Sequence, residues 1–311
     1  MRRRTRHHPA LFGLGILALV VACTESSLEP PSRSPDAIRV AAFGFTESEI
    51  LAELYSQALA AKGYPTTPVL KAGPRELVQP ALAEGLIDVL PEYAGSALSF
   101  LTLGETEGSA DIRETHSALE QVVVPFGVIA LAPARARDSN AIVVTQTTAD
   151  RLNLHEISDL TAVGPQLVFG GPPECADRRL CLVGLESVYG LRFREFIPLD
   201  SGGPLTLQAL RSGGIDVALM FTTDPAIESE ALIVLTDDRG LQPAENVTPL
   251  VRREVLSRHG NGVVETLDGV STLLTTSDLR EMIGQVVGGR AAHEVAESWL
   301  QDHPSVLMEG A

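Results

Sequence analysis

The sequence predicts an α/β protein that is built from two similar lobes. Its 311 residues, of which 44% are hydrophobic and 21% charged, are enough to bury a sizeable core, and two domains are usual at this length. A strand, a loop and a helix are predicted in succession at residues 38–61, where the folded part begins. One nine-residue motif occurs twice further along the chain, and this internal repeat predicts the second lobe.

The first strand and helix follow from local patterns. Residues 38–42 (IRVAA) form a short β-branched run, and residues 48–61 carry apolar side chains at helical spacing. Thr46 is the predicted N-cap of this helix, acidic residues occupy its first turn, and Gly63 is predicted to end it. Such units form doubly wound sheets, which bind ligands at the carboxyl ends of their strands.

The internal repeat predicts equivalent elements in the two lobes. The motif A-L-x-x-G-x-I-D-V occurs at residues 81–89 and 209–217. Each copy predicts a helix end, a glycine after it and a following strand. We expect Asp88 and Asp216 to be structural, each holding a turn or a strand end. Tyr93 and Phe221 occupy the same position just beyond the two strands, so we expect one aromatic ring on each side of an interlobe cleft. Two ordinary core aromatics are the alternative.

The charge balance excludes some classes of partner. The chain has 24 Lys and Arg against 40 Asp and Glu, which gives a formal net charge of -16. Nucleic acids and anionic lipid surfaces require a basic face, so neither is expected as the main partner. An acidic surface suits an extracytoplasmic protein and a cationic ligand.

The N-terminal segment predicts export. Four arginines precede an apolar run at residues 10–22, which is too short to span a bilayer and is typical of a signal peptide, residues 1–22. The run ends in VVAC, which resembles the lipobox of bacterial lipoproteins, and this implies that Cys23 is lipidated and begins the mature chain. Residues 23–37, rich in Ser and Pro, are the expected anchor and flexible tether. A plain secretory signal, with Cys23 free or buried, is the alternative.

The two remaining cysteines predict a disulfide. Cys175 and Cys181 lie close together in a Pro- and charge-rich loop of a chain that is expected to be exported. Outside the predicted signal peptide the histidines show no metal-ligand spacing, so neither a metal site nor a cofactor is expected.

Several segments together resemble the glycine betaine/choline-type substrate-binding proteins of ABC transporters. They are FTES (45–48), IDVLPEYAGS (87–96), YGL (189–191), the second repeat copy (209–217), TD (223–224) and LTDD (235–238). The resemblance implies a type II periplasmic-binding fold, whose two lobes close around a ligand about two hinge crossovers. We place the crossovers near 134–140 and 235–239. Lobe 1 is then 38–134 plus 240–311, and lobe 2 is 135–239.

The resemblance also implies a ligand site. In these proteins aromatic rings surround a quaternary ammonium group, and Tyr93 and Phe221 match two such rings. Asn140 stands where many relatives carry tyrosine. Glu174 and Arg178 resemble a Glu-x-x-x-Arg pair whose arginine binds the ligand carboxylate. The expected ligand-binding residues are Thr46, Ser48, Tyr93, Ser96, Asn140, Glu174, Arg178, Phe221, Thr222 and Asp224.

The predicted function is therefore solute binding. We expect a lipid-anchored, extracytoplasmic monomer that delivers a glycine betaine- or choline-like ligand to the permease and ATPase of an ABC importer. The alternatives are another zwitterion or amino-acid derivative, because the chain has only four tyrosines for a cage, and a tethered ligand sensor. A secreted serine hydrolase is a further alternative, since LDSGGPL (199–205) resembles a trypsin-like motif. However, neither an all-β pattern nor a complete catalytic triad accompanies it.

Overall fold

A computed structural model describes residues 36–200 and 202–306. The predicted signal peptide, Cys23, the tether up to residue 35 and Ser201 lie outside the described residues. Within the described part, none of the helices has the length and apolar character needed to cross a bilayer. The described residues belong to one compact unit.

The described residues form strands and helices in alternation. The strands are β1 (Ile38–Ala41), β2 (Thr66–Val69), β3 (Val89–Tyr93), β4 (Val128–Ala130), β5 (Asn140–Thr145), β6 (Val168–Gly171), β7 (Glu195–Pro198), β8 (Val217–Phe221), β9 (Leu232–Val234) and β10 (Val247–Arg252). The α-helices are α1 (Thr46–Ala61), α2 (Arg75–Ala83), α3 (Ala94–Leu101), α4 (Ile112–Val123), α5 (Gln146–Leu152), α6 (Leu182–Tyr189), α7 (Pro204–Ser212), α8 (Ala226–Ser229), α9 (Arg253–His259), α10 (Gly262–Leu273), α11 (Thr276–Val287) and α12 (Ala292–Asp302).

Two five-stranded sheets share one topology. The first has the order β2-β1-β3-β10-β4 and the second the order β7-β6-β8-β5-β9. In each sheet the first three strands of the order are parallel neighbours. The fourth strand pairs antiparallel with the third: β10 with β3, and β5 with β8. Two similar α/β lobes, as the internal repeat predicts, are therefore present.

The chain passes between the two sheets twice, through residues 131–139 and 235–246. The expected boundary at 239/240 lies within the second of these segments. Leu241 packs against the core of the second lobe, and the N–H of Ala244 donates to the carbonyl of Ser109 in the first lobe. The change from one lobe to the other thus takes place within this segment.

Apolar side chains cover both faces of each sheet. In the first lobe, one core joins β1 and β3 to α1 and α10–α12, and another joins the opposite face to α2–α4. The second lobe has the same two-sided packing, with Phe169 at the centre of one of its cores. Each sheet is thus packed between two layers of helices, and this packing fixes the positions of the side chains that follow the strand ends.

The repeated aspartates hold strand starts, as predicted. Asp88 accepts a hydrogen bond from the N–H of Arg39 at 2.9 Å, and Asp216 accepts one from the N–H of Val168 at 2.9 Å. The two sites differ in charge pairing. Asp88 is also bound by the guanidinium groups of Arg39 and Arg258, at 2.7 and 3.1 Å.

Helix α1 begins differently from the prediction. Its N-cap is Phe45, which has no capping side chain, and Thr46 is already the first helical residue. The hydroxyl oxygen of Ser48 instead accepts a hydrogen bond from the N–H of Phe43 at 2.8 Å, which secures the turn between β1 and α1. Gly63, at φ 86°, follows the helix end as predicted.

Two loop motifs of the second lobe have structural roles. Cys175 and Cys181 form a buried disulfide at the start of α6. In the protease-like segment, the carboxylate of Asp200 accepts hydrogen bonds from the N–H groups of Leu205 and Thr206, at 3.0 and 2.9 Å. This segment therefore initiates α7.

Candidate functional site

A cleft of about 950 Å³ lies between the carboxyl ends of the parallel strands of the two sheets. The first lobe contributes the start of α1, the end of β3 and the starts of α2 and α3. The second lobe contributes the start of β5, the end of β8 and the loop before α7, and the two crossovers contribute Asp138, Ser139, Gln242 and Glu245. The cleft therefore has walls from both lobes.

Aromatic rings form part of both walls. Tyr93 ends β3 and Phe221 ends β8, so the repeat positions both rings at the cleft. Phe45 stacks on Tyr93 with 6.2 Å between ring centroids, and Phe43 stacks behind Phe45 at 5.9 Å. Three rings lining one cleft, one of them from the opposite lobe, offer π faces to a cation.

A pair of acidic side chains lies beside these rings. The hydroxyl of Tyr93 donates to Glu47 at 2.6 Å, and the hydroxyl of Thr223 donates to Asp138 at 2.9 Å. Burial, reinforced by the negative charge of Asp138, raises the pKa of Glu47 to about 8. Burial also raises the pKa of Asp138 to about 6.

Two further carboxylates line the cleft. Glu245 accepts hydrogen bonds from the N–H and the hydroxyl of Ser96, at 3.0 and 2.8 Å, and burial raises its pKa to about 7. Asp224 accepts a hydrogen bond from the N–H of Ala226 at 2.8 Å, and burial raises its pKa as well. Among the described residues no group of three or more potential ligands is arranged to hold a metal ion.

The two arginines that line the cleft are both paired. Arg75 binds Glu92 through two hydrogen bonds of 2.8 and 3.0 Å and lies over the ring of Phe43. Arg178 lies 3.6 Å from Glu174, and both side chains are largely exposed. Arg75 therefore belongs to the wall, whereas Arg178 is accessible at the rim.

The structure brings most of the predicted ligand-binding residues to the cleft. Those that line it are Thr46, Tyr93, Ser96, Asn140, Arg178, Phe221 and Asp224. The amide nitrogen of Asn140 is already used, because it donates to the carbonyl of Leu180 and to Gln242, at 3.2 and 3.1 Å. Its contact to a ligand is thus restricted to the remaining carbonyl oxygen.

Three predicted residues lie elsewhere. Ser48 is fully buried and bonded to the backbone behind the cleft wall. The hydroxyl of Thr222 accepts from the N–H of Ser139 and donates to the carbonyl of Arg137, so it joins β8 to the first crossover. Glu174 does not line the cleft; it pairs with Arg178, which does. In the first two cases backbone groups satisfy the hydroxyl.

Of the acidic residues of the site, Asp224 was predicted from the sequence, whereas Glu47, Asp138 and Glu245 were not. Glu47 belongs to the FTES segment and Asp138 lies two residues before Asn140, so both are adjacent to residues that were selected. The sequence features that indicate them are the predicted helix start after β1 for Glu47 and the predicted first crossover for Asp138. Glu245 carries no comparable local signal, since its place depends on the return of the chain to the first lobe.

Two α/β lobes with a ligand-sized cleft between them define a substrate-binding protein of the periplasmic-binding class. Residues 36–302 match the family model of the substrate-binding domain of ABC-type glycine betaine transport systems, and the chain belongs to this family. It is thus a component of a transport system and not an enzyme, so the serine-hydrolase alternative is wrong.

Individual relatives and solved structures agree with this assignment. The chain is 27% identical over 280 residues to the glycine-betaine-binding protein of Pseudomonas aeruginosa, covering 86% of this chain and 88% of that protein. It is 25% identical over 284 residues to the glycine betaine-binding protein YehZ of Escherichia coli, covering 87% and 92%. A crystal structure of a glycine betaine/carnitine/choline ABC transporter aligns with a TM-score of 0.80 at 24% identity, covering 87% of this chain and all of that one. The predicted two-lobed type II periplasmic-binding fold is confirmed.

Proposed function

We propose that this chain is the extracytoplasmic binding component of an ABC importer and that its cleft takes small quaternary ammonium compounds of the glycine betaine and choline type. One observation carries the ligand class: the ring of Tyr93 is stacked near Phe45, and its hydroxyl is bonded to the buried carboxyl of Glu47. A quaternary ammonium group has no hydrogen to donate, so it binds to π faces and negative charge. The glycine betaine-binding relatives support the same class.

The mechanism follows from the two walls. A ligand that contacts Tyr93 on one lobe and Phe221 on the other stabilises the arrangement in which both walls are close together. It shifts the population toward that arrangement by its differential affinity. The permease then recognises the closed form, and the ATPase drives import, with the chain acting as a monomer.

Thermal unfolding tests the ligand class. We would use the chain without residues 1–22 and with Cys23→Ser, in the presence of choline, glycine betaine or carnitine. A ligand at a hundredfold excess over its Kd stabilises the folded state by about 2.7 kcal/mol, which raises the Tm measurably. Tyr93→Ala removes a ring of the site, and we expect it to weaken binding about tenfold and to reduce the Tm shift at fixed ligand concentration.

Tyr64→Ala is the matched control. Tyr64 belongs to the same lobe and packs edge-on against His259, away from the cleft. It is expected to lower the Tm but to leave the ligand-induced shift unchanged. The absence of a shift with every trimethylated ligand would contradict the proposal. A shift with amino acids or other zwitterions alone would favour the alternative ligand class.

The proposed membrane anchor has a separate test. Lipidation of Cys23 places the binding protein next to its permease, and two acyl chains are enough for stable membrane attachment. Labelling of the chain by radioactive fatty acid in cells should depend on Cys23. Label that persists in Cys23→Ser, or wild-type chain that is released unlabelled, would count against the anchor.

A further inference from the structure

The cleft contains acidic side chains that are not ion-paired with any basic side chain of the described residues. In the described part of the chain, four lining carboxylates form no ion pair with any basic side chain: Glu47, Asp138, Asp224 and Glu245. The two lining arginines are bound to other carboxylates, Arg75 to Glu92 and Arg178 to Glu174. Only hydroxyl and N–H groups bind the four acids.

Two of these acids lie where the walls meet. Glu47 is held from the first lobe by the hydroxyl of Tyr93 at 2.6 Å, and Asp138 is held from the second lobe by Thr223 at 2.9 Å. Their mutual repulsion is part of the reason why the pKa of Glu47 is raised. The aromatic ring of Tyr93 lies beside the same carboxyl group, so a bound cation would meet a π face and the acids together.

Burying a carboxylate without a positive partner is costly, and the usual response is protonation. The raised pKa values of Glu47, about 8, and Asp138, about 6, are the expected consequence of this burial. A ligand that brings a permanent positive charge would supply the missing partner. It would stabilise both carboxylates in their ionised form.

We propose, on the basis of the proposed function, that Glu47 and Asp138 are specificity-determining residues that select a quaternary ammonium ligand with a net positive charge over a zwitterionic one. A quaternary ammonium alcohol such as choline matches the uncompensated acids. A betaine adds a carboxylate, which the four lining acids repel. Of the two arginines that line the cleft in the described part of the chain, Arg178 is the one accessible to that carboxylate, and its side chain is 68% exposed to screening water.

Proton release is the signature that separates this role from a structural one. The charged and titratable groups that face the acids are Tyr93 and Asp138 around Glu47, Asp224 around Asp138, and Arg75 and Glu92 around Glu245. Among them, the carboxyl groups of Glu47, Asp138 and Glu245 have pKa values near neutrality. A cation favours their ionised forms, so binding at pH 7 releases protons to the buffer.

The test is titration calorimetry of the mature chain with choline and glycine betaine, in two buffers of different ionisation enthalpy. We expect choline to bind at least about tenfold more tightly than glycine betaine, a difference that corresponds to about 1.4 kcal/mol. Glu47→Gln and Asp138→Asn keep size and hydrogen bonding but remove the charge. Each should weaken choline binding about tenfold, leave glycine betaine binding less affected, and reduce the proton release.

Glu49→Gln is the matched control, because Glu49 lies in the same first turn of α1 but outside the cleft. It should change neither the affinity ratio nor the proton release. If the wild type binds glycine betaine as tightly as choline, and the ratio of the two affinities is unchanged in Glu47→Gln and Asp138→Asn, this inference is overturned. The proposed function would then still stand. If neither ligand binds the wild-type chain, the proposed function fails, and the inference fails with it. If Glu47→Gln does not fold, the affinities of Asp138→Asn and the proton release of the wild type still test the inference.

Discussion

Tyr93 contributes two different groups to the cleft. Its ring lies against Phe45, and its hydroxyl donates to Glu47 at 2.6 Å. The residue is only 6% exposed, so neither group rotates away into solvent. A single side chain thus connects the aromatic surface to the acidic one, which explains why the two features adjoin in this protein.

The buried acids predict how the ligand-free protein responds to pH. Glu47 and Asp138 have folded pKa values of about 8 and about 6, above the ordinary values of 4.5 and 3.8. Between these values the folded state binds more protons than the unfolded state, so the free energy of unfolding falls as pH rises from about 4 to 8. We expect chemical denaturation at a series of pH values to show this decline.

The same reasoning gives the control for the pH series. Glu47→Gln and Asp138→Asn remove one titrating group each, so each variant should show a flatter profile than the wild type over the same range. Glu49→Gln should retain the wild-type slope. A slope that is unaffected by either cleft substitution would show that these two carboxyls do not have the raised pKa values that we assign to them.

At the scale of elements, the equivalent aspartates of the two repeat copies form interactions of different strength. Asp88 is 1% exposed and binds two arginines as well as a backbone N–H, whereas Asp216 receives the Val168 N–H and lies 3.9 Å from Arg151. Hydrogen bonds to charged groups contribute more than neutral ones, and exposed ion pairs contribute little.

We therefore predict an asymmetric cost for the matched pair of substitutions. Asp88→Asn should lower the free energy of unfolding by about 2–3 kcal/mol, and Asp216→Asn by about 1 kcal/mol. Urea unfolding followed by circular dichroism, and by the fluorescence of the single tryptophan, Trp299, in the core of the first lobe, measures both. Equal costs would show that the arginines around Asp88 add nothing to the backbone contact.

At the scale of the whole molecule, an ion pair joins the two lobes outside the cleft. Arg179, in the disulfide loop of the second lobe, lies 2.7 Å from Glu107 in the loop between α3 and α4. Both side chains are largely exposed, at 76% and 50%, so the contribution of this pair is small and sensitive to salt. It favours the arrangement in which the lobes are close to each other.

We predict that Arg179→Gln weakens ligand binding at low ionic strength, by up to about fivefold, which corresponds to the 0.2–1 kcal/mol of an exposed pair. The difference from wild type should vanish at about 1 M salt. Arg192→Gln is the control, since Arg192 pairs with Glu186 inside the second lobe and with similar exposure. If both variants bind alike at low salt, the interlobe pair has no role in closure.

The elements and their repetition could be predicted, because they depend on local patterns. The apolar spacing of α1, the glycines after α2 and α7, and the ends of β3 and β8 were all visible in the sequence. The position of Thr46 was not, because the N-cap depends on the turn that Ser48 and Phe43 form together.

The residues that line the cleft were predicted partly from the repeat and partly from the family resemblance. Tyr93 and Phe221 follow from their place at the ends of equivalent strands. Thr222, two positions before Asp224, is not among the residues that line the cleft, and its hydroxyl is bonded to the backbone of Ser139 and Arg137, more than 80 residues away. No pattern within a short window of sequence contains that information.

The amino-acid sequence alone was enough to establish the α/β class, the two related lobes and the general location of the ligand, because strand and helix periods and the repeat are properties of neighbouring residues. The tertiary structure alone decided which polar groups face the cleft and in what protonation state. Glu47 and Asp138 come from distant parts of the chain. Burial raises both pKa values, and the negative charges of Asp138 and Asp224 raise those of Glu47 and Asp138 further. Such effects act through space, so they exist only after the two lobes have brought these residues together.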